Sequence, residues 1–168
     1  MPNFNSGWYL LYTRPKQEKK VTEQLKEKQL KHYLPVQTVV RKWADRLKTV
    51  QQPLFPSYVF VYLEDLRDYF IGLNTDGVLQ YVKFGGRITR VGEAIIHNLR
   101  LIIEYGREVE VSLSEFKQGQ LLTISEGPFA GMNCEVMQYK RQERILVRFN
   151  LLRRNVLMEL PAAQLIKN

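Results

Sequence analysis

Hydrophobic positions fall into short blocks whose period changes along the chain. Trp8 to Thr13 is a run of large β-formers, and Arg14-Pro15 closes it as a strand feeding a helix. Pro15 suits a first helical turn, where its missing N–H is not needed. From Lys16 to about Lys31 the residues are mostly Lys, Gln, Glu and Leu, and Val21 and Leu25, one turn apart, form a narrow buried stripe. Tyr33-Leu34-Pro35 and Val36 to Trp43 predict an extended strand, Ala44 to Lys48 a polar turn, and Thr49 onward a return strand, together a projecting hairpin. Pro53 and Pro56 bracket Leu54-Phe55 ahead of the clearest strand, Tyr58 to Leu63. Glu64 to Leu73 predicts a second helix, stopped at Asn74-Thr75-Asp76-Gly77. Val78 to Phe84 and Arg87 to Val91 predict strands around a Gly85-Gly86 turn. Ile95, Ile96, Leu99, Ile102 and Ile103 then recur at helical spacing between Gly92 and Glu104.

The order β-α-β-β-α-β over residues 1–105 predicts an α+β domain, an antiparallel sheet covered on one face by helices. Alternation puts Trp8, Leu10 and Tyr12 on one face of the first strand and Tyr9 and Leu11 on the other. Tyr58, Phe60 and Tyr62 likewise oppose Val59, Val61 and Leu63. Neither face is polar. The face without helices is therefore either a protein-docking patch or a surface covered by the hairpin, the third helix or another subunit. Residues 106–117 are short and mixed, alternating only at Val109-Val111-Leu113, and read as a linker. In residues 118–168 the runs Gln120–Ser125, Cys134–Tyr139, Arg144–Phe149 and Asn155–Leu160 predict a small all-β barrel.

Charge changes the picture of partners. The net charge is +8, and residues 1–105 hold 16 basic and 10 acidic side chains, so the excess sits mainly there. Such a balance favours polyanionic surroundings. No signal-like segment follows Met1 and no apolar run approaches the ~18 residues of a membrane span, so a cytoplasmic location is expected. One cysteine, Cys134, and two histidines, His32 and His97, make a thiolate or imidazole metal cage an unfavoured reading, and both histidines are expected at helix ends. No paired-carboxylate motif, nucleophile elbow or phosphate-cradling glycine loop is present, so no enzyme, cofactor or metal is expected.

Gly119 to Gly131 resembles the KOW motif, a strand, a glycine turn at Gly127 and an aromatic anchor at Phe129. Ahead of it stand Trp8-Tyr9-Leu10-Leu11-Tyr12 with its helix, then Pro53-Leu54-Phe55-Pro56-Ser57-Tyr58-Val59-Phe60-Val61, then Gly77-Val78 leading to Val82-Lys83-Phe84-Gly85. Segment by segment these resemble the N-terminal domain of the NusG family of transcription elongation factors, and the resemblance spans nearly the whole chain. It implies a polymerase-binding domain whose apolar face sits on the clamp helices of the largest catalytic RNA polymerase subunit, followed by a KOW barrel that recruits other factors. Trp43-Ala44-Asp45-Arg46 before the Pro-Leu-Phe-Pro-Ser-Tyr segment resembles the UpxY group, and Asn150-Leu151-Leu152 the RfaH group. These are specialised paralogs that promote antitermination on long operons. Two segments depart from those relatives. Asp68-Tyr69-Phe70 replaces the RfaH-type His-Thr-Thr run, and Leu152-Arg153-Arg154 replaces the aromatic-glycine-arginine of housekeeping NusG.

By this resemblance the polymerase-facing candidates are Tyr12, Pro56, Tyr58, Phe60, Tyr81 and Phe84. Strict alternation puts Tyr81 and Phe84 on opposite faces unless their strand bends or bulges. Lys16, Lys19 and Lys20, with the hairpin's Arg41, Lys42, Trp43, Arg46 and Lys48, form the candidate surface for DNA or nascent RNA, since phosphate contacts use Lys and Arg and Trp43 offers a stacking platform. Phe129 and Leu152 are the KOW candidates for a partner such as a small-subunit ribosomal protein. A monomer without a membrane partner is expected. Two other readings remain, a housekeeping NusG-type cofactor and a KOW-containing RNA-binding ribosome-assembly factor. In RfaH-like relatives the KOW unit also has a helical-hairpin state, but here the Gly-Pro-Phe turn and alternating strands favour the barrel.

Overall fold

A computed structural model describes residues 5–105, 109–112, 121–124, 133–138, 144–151, 154–161 and 165–167. Two compact units make up the chain, Met1–Ile96 and His97–Asn168.

Strand β1 (Gly7–Thr13) is central to the first unit because both of its edges are filled. Helix α1 (Glu18–Glu27) follows, shorter at both ends than composition predicts. At its start, Arg14-Pro15-Lys16-Gln17 forms a turn in which Gln17 N–H meets Arg14 O at 3.2 Å and Lys16 takes φ 63°. Its end is a Schellman motif with glutamine in glycine's place. Gln29 sits at φ 59°, Leu30 N–H reaches Leu25 O at 2.9 Å and Gln29 N–H reaches Lys26 O at 3.0 Å. The short strand β2 (His32–Tyr33) leads into a separate two-stranded hairpin, β3 (Val36–Lys42) and β4 (Leu47–Pro53). Its turn is tighter than predicted, Trp43 to Arg46, closed by Trp43 N–H to Arg46 O at 2.8 Å.

Strand β5 (Tyr58–Leu63) pairs antiparallel with β1 from Gly7↔Leu63 to Tyr12↔Tyr58. Helix α2 (Leu66–Leu73) is capped by Asp65, whose carboxylate accepts Asp68 N–H at 3.0 Å. The predicted strand after it divides at Val82 into β6 (Val78–Tyr81) and β7 (Lys83–Phe84). The next divides at Thr89 into β8 (Arg87–Ile88), paired with β7, and β9 (Arg90–Val91). Gly85 and Gly86, at φ 58° and 79°, make the two-residue turn between β7 and β8. Along its second edge β1 meets β6 through Leu11↔Tyr81 and β9 through Trp8↔Val91. Helix α3 (Glu93–Tyr105) buries Ile96, Leu99 and Ile102. His97 lies inside α3 and His32 in β2, so neither is at a helix end.

One face of this sheet carries the core: Tyr9, Leu11, Val59, Val61, Leu63 and Tyr81 pack with Val21 and Leu25 of α1 and with Leu30. Full burial of each Val or Leu side chain contributes about 1.5–3 kcal/mol, and Trp8, Leu10, Phe55 and Phe60, outside this cluster, are buried as well. The first unit is thus the α+β domain the alternation predicts.

In the second unit all pairings are antiparallel, in the order β10 (Val109–Ser112), β14 (Arg154–Pro161), β13 (Arg144–Leu151), β12 (Asn133–Gln138), β11 (Leu121–Ile124), β15 (Leu165–Lys167). Strands β11 to β14 coincide with the four predicted runs to within a few residues. Strand β10, where Val109 and Val111 alternate, lies within the segment read as a linker.

Candidate functional site

The face of β1 and β5 away from the core holds three cross-strand pairs in register, Trp8↔Tyr62, Leu10↔Phe60 and Tyr12↔Tyr58. Trp8 and Tyr62 meet edge to face at 5.5 Å, and Tyr12 and Tyr58 are tilted at 5.4 Å. Such pairs contribute roughly 0.2–1 kcal/mol each relative to a pair of alanines and help fix the register of the two strands. The row is not bare. Trp8, Leu10 and Phe60 are buried, while Tyr12, Tyr58 and Tyr62 are half-buried. Phe55, just ahead of β5, lays its ring edge-on against Phe60 at 6.3 Å, and Tyr33 meets Phe60 at 6.2 Å. At the Trp8 end the exposed Lys31 ammonium stands 4.5 Å over the Tyr62 ring and 5.5 Å over Trp8, a cation–π cap the sequence does not disclose.

Of the six polymerase-facing candidates, the fold brings four together. Tyr12, Tyr58 and Phe60 share this face, and Pro56 is exposed in the turn that enters β5. Tyr81 is elsewhere: opposite Leu11 on the helix-covered face, it stacks on Tyr69 at 4.8 Å and donates its hydroxyl to Tyr69 O at 3.0 Å. Gly72 of α2 leaves room for that hydroxyl, which a Cβ there would overlap. Burial pushes the Tyr81 phenol above its ordinary value of 10.0, with Tyr69 and Asp68 adding to the effect. Phe84 is in β7 opposite Arg87, and its side chain lies outside the described residues, as do Phe129 and Leu152 entirely.

The cationic candidates occupy α1 and the hairpin. Lys16 is exposed in the Pro15-Lys16 turn, Lys19 reaches Gln51 O of β4 at 3.4 Å, and Lys20 pairs with Asp76 at 2.8 Å. Hydrogen bonding and charge from Lys20 hold the Asp76 carboxyl below its usual range. The ion pair is exposed on both sides and so contributes little to stability. In the hairpin, Arg41 stands directly opposite Lys48, two like charges whose repulsion opposes strand pairing. Arg41 donates to Gln52 Oε1 at 2.7 Å, and the Lys48 ammonium lies 5.5 Å over Trp43, whose side chain is 54% exposed. Lys42 and Arg46 are exposed beside them, as are Val40 at 66% and Leu47 at 71%.

Two further residues meet beside Tyr58, where sequence gave little warning. Glu18, 4% exposed, accepts Ser57 N–H at 2.6 Å, and Ser57 takes φ 68°. A non-glycine residue in that region costs about 1–2 kcal/mol. Pro56 signalled the turn, but a serine does not announce a left-handed backbone.

Among the described residues no group of three or more His, Cys, Asp or Glu could hold a metal, and no helix is long and apolar enough to cross a membrane. Burial pushes the Cys134 thiol up to about 11, away from the thiolate a nucleophile needs. An aromatic sheet face and a cationic ribbon are surfaces suited to binding rather than to catalysis. Residues 6–100, more than half of the chain, match the family described as transcription termination factor nusG, and the chain belongs to that family. Its members are non-catalytic transcription factors, and this chain shares their general role in transcription elongation and antitermination. It is 24% identical over 154 residues to the transcription termination/antitermination protein NusG of Streptococcus pyogenes, covering 85% of this chain and 86% of that one. The NusG of Lactococcus lactis is 26% identical over 148 residues, covering 81% and 80%. A solved structure on domain interaction in Thermotoga maritima NusG shares the fold, with TM-score 0.64, 20% identity and 97% of each chain covered.

Proposed function

We propose that this chain binds RNA polymerase through the Tyr12–Tyr58 end of the β1–β5 face, seated on the clamp helices of the largest catalytic subunit, and promotes processive, antiterminating transcription. The observation that carries the reading is the row of three in-register pairs on the sheet face turned away from the core, with Tyr12, Tyr58 and Tyr62 half-buried and Pro56 exposed. Half-buried tyrosines suit such a face, since they give large contact area at low conformational cost. Lys16, Lys19, Lys20 and the hairpin's Arg41, Lys42, Trp43, Arg46 and Lys48 then meet DNA or nascent RNA of the elongation complex. In this reading residues 1–105 form the polymerase-binding domain, 106–117 connect while contributing β10 to the sheet of the second unit, and 118–168 form a KOW barrel. That barrel recruits a partner such as a small-subunit ribosomal protein near Phe129 and Leu152.

The hairpin sequence Trp43-Ala44-Asp45-Arg46 and the Asn150-Leu151-Leu152 segment favour a specialised paralog of the RfaH or UpxY type, acting on particular long operons. A location as first gene of a polysaccharide operon supports that narrower role, and a location among housekeeping genes opposes it. The test of polymerase binding uses full-length chain with Tyr12→Asp and Tyr58→Asp together. Each tyrosine, as a hot-spot residue, is expected to contribute about 2 kcal/mol, roughly 30-fold in affinity. Binding retained by a variant with unchanged far-ultraviolet circular dichroism places the interface elsewhere. Capture of ribosomal RNA rather than polymerase subunits from lysate favours the ribosome-assembly reading.

A further inference from the structure

One buried carboxylate, that of Glu18, lies at the Tyr12–Tyr58 end of the aromatic row. Two Pro-containing turns lie side by side there, Arg14-Pro15-Lys16-Gln17 leaving β1 and Phe55-Pro56-Ser57-Tyr58 entering β5. Each has a non-glycine residue at positive φ in its third position, Lys16 at 63° and Ser57 at 68°. The first turn delivers Glu18 to the second. Glu18 Oε1 accepts Ser57 N–H at 2.6 Å, while Ser57 O accepts Thr13 N–H at 2.9 Å and Tyr58 N–H reaches Phe55 O at 3.2 Å. Ser57 is thereby gripped on both sides in a conformation that serine does not choose unaided. Tyr58, the next residue, starts β5 directly opposite Tyr12.

We propose that Glu18 is a positioning residue for the docking face: its carboxylate holds Ser57 left-handed, so that Pro56 and Tyr58 are already set against Tyr12 when the partner arrives. Without it the turn relaxes toward the backbone that serine prefers, and binding must first restore the order. This role rests on the reading that the Tyr12–Tyr58 end docks on RNA polymerase.

The test compares full-length wild type, Glu18→Gln, Glu18→Ala, Glu18→Ala with Ser57→Gly, and Leu25→Val as a core-destabilised control in the same helix. Affinity for core RNA polymerase and thermal stability are measured for each, with amide exchange at residue 57 and ring contacts between Tyr12 and Tyr58 followed by NMR in the free protein. Glu18→Ala should weaken binding about tenfold, speed exchange at Ser57 and loosen the ring pair. Glu18→Gln, which keeps an acceptor oxygen, should bind within about twofold of wild type. Adding Ser57→Gly should recover most of the lost affinity, because glycine holds that φ without help. Leu25→Val, at comparable stability loss, should bind like wild type. The proposal is overturned if Glu18→Ala binds as wild type does, if Ser57→Gly rescues nothing, or if Leu25→Val loses as much affinity. A wild-type chain that does not bind polymerase overturns the docking reading itself, and the role of Glu18 with it.

Discussion

Replacing Trp43 by Ala tests the hairpin most directly, because this ring has no part in the core. Its side chain is 54% exposed at the tip of a two-stranded ribbon, and Lys48 stands 5.5 Å over one of its faces. The exposed part of the ring is offered to a base. Stacking of a base on an aromatic ring is worth roughly 1–3 kcal/mol, which converts to a loss of about 5- to 150-fold in affinity for a single-stranded 12-mer. Intrinsic fluorescence reads the event, since the only other tryptophan, Trp8, is 4% exposed. Addition of the oligonucleotide should quench Trp43 emission in the wild type. The variant's weaker binding, followed through a dye on the oligonucleotide, should keep the wild-type salt dependence. Neutralising Arg41, Lys42, Arg46 and Lys48 should do the converse, flattening the log–log salt slope by up to about 3 while polymerase affinity holds. Wild-type affinity in the Trp43→Ala chain, or a changed salt slope there, refutes the stacking argument. Equal loss of polymerase and nucleic-acid binding on charge removal would assign the hairpin to the protein interface.

Two more outcomes follow from the fold. Tyr81→Phe keeps the ring on Tyr69 but removes the hydrogen bond to Tyr69 O, and should lower stability by about 1 kcal/mol in urea unfolding at pH 8. The Tyr81 phenol is raised in the folded chain, so the unfolded chain releases its proton first and wild-type stability should fall as pH rises past 10, a fall that Tyr81→Phe should lessen; an unchanged alkaline slope contradicts this. Residues 118–168 alone and within the full chain should give the same β-type amide chemical shifts, whereas helical shifts confined to the full chain would overturn the barrel reading and indicate autoinhibition.

The elements were legible where one local signal dominated. Period 2 in Tyr58 to Leu63, helical spacing in α3 and the glycine pair at Gly85-Gly86 each gave the observed element. Boundaries failed where the backbone was decided by tertiary contacts. Helix α1 stops at Glu27 because Gln29 turns left-handed and Leu30 goes into the core, although Lys28 to Lys31 are compatible with helix by composition. Alternation placed Tyr12, Tyr58 and Phe60 on one face. It could not show that Phe60 is fully buried under Phe55 or that Val82 breaks the strand between Tyr81 and Phe84. Glu18 was hidden for a simpler reason: a glutamate at a helix start reads as solvated, and its partner lies 39 residues away.

The pairing of β1 sets a timetable for synthesis. Its partners are β5, β6 and β9, and the pair Trp8↔Val91 joins residues 83 positions apart. At roughly 5–20 residues per second, about 4 to 17 s separate the making of Trp8 from that of Val91. The central strand is therefore the first made and the last completed, and its Trp-Tyr-Leu-Leu-Tyr run spends that interval without its full sheet. Apolar β-forming segments in that condition are commonly flanked by charges that oppose aggregation, and Arg14, Lys16, Lys19 and Lys20 stand immediately downstream. Three of these cations, Lys16, Lys19 and Lys20, are the ones proposed to meet nucleic acid in the finished molecule, and all four are placed to keep the nascent strand dissolved until its neighbours emerge.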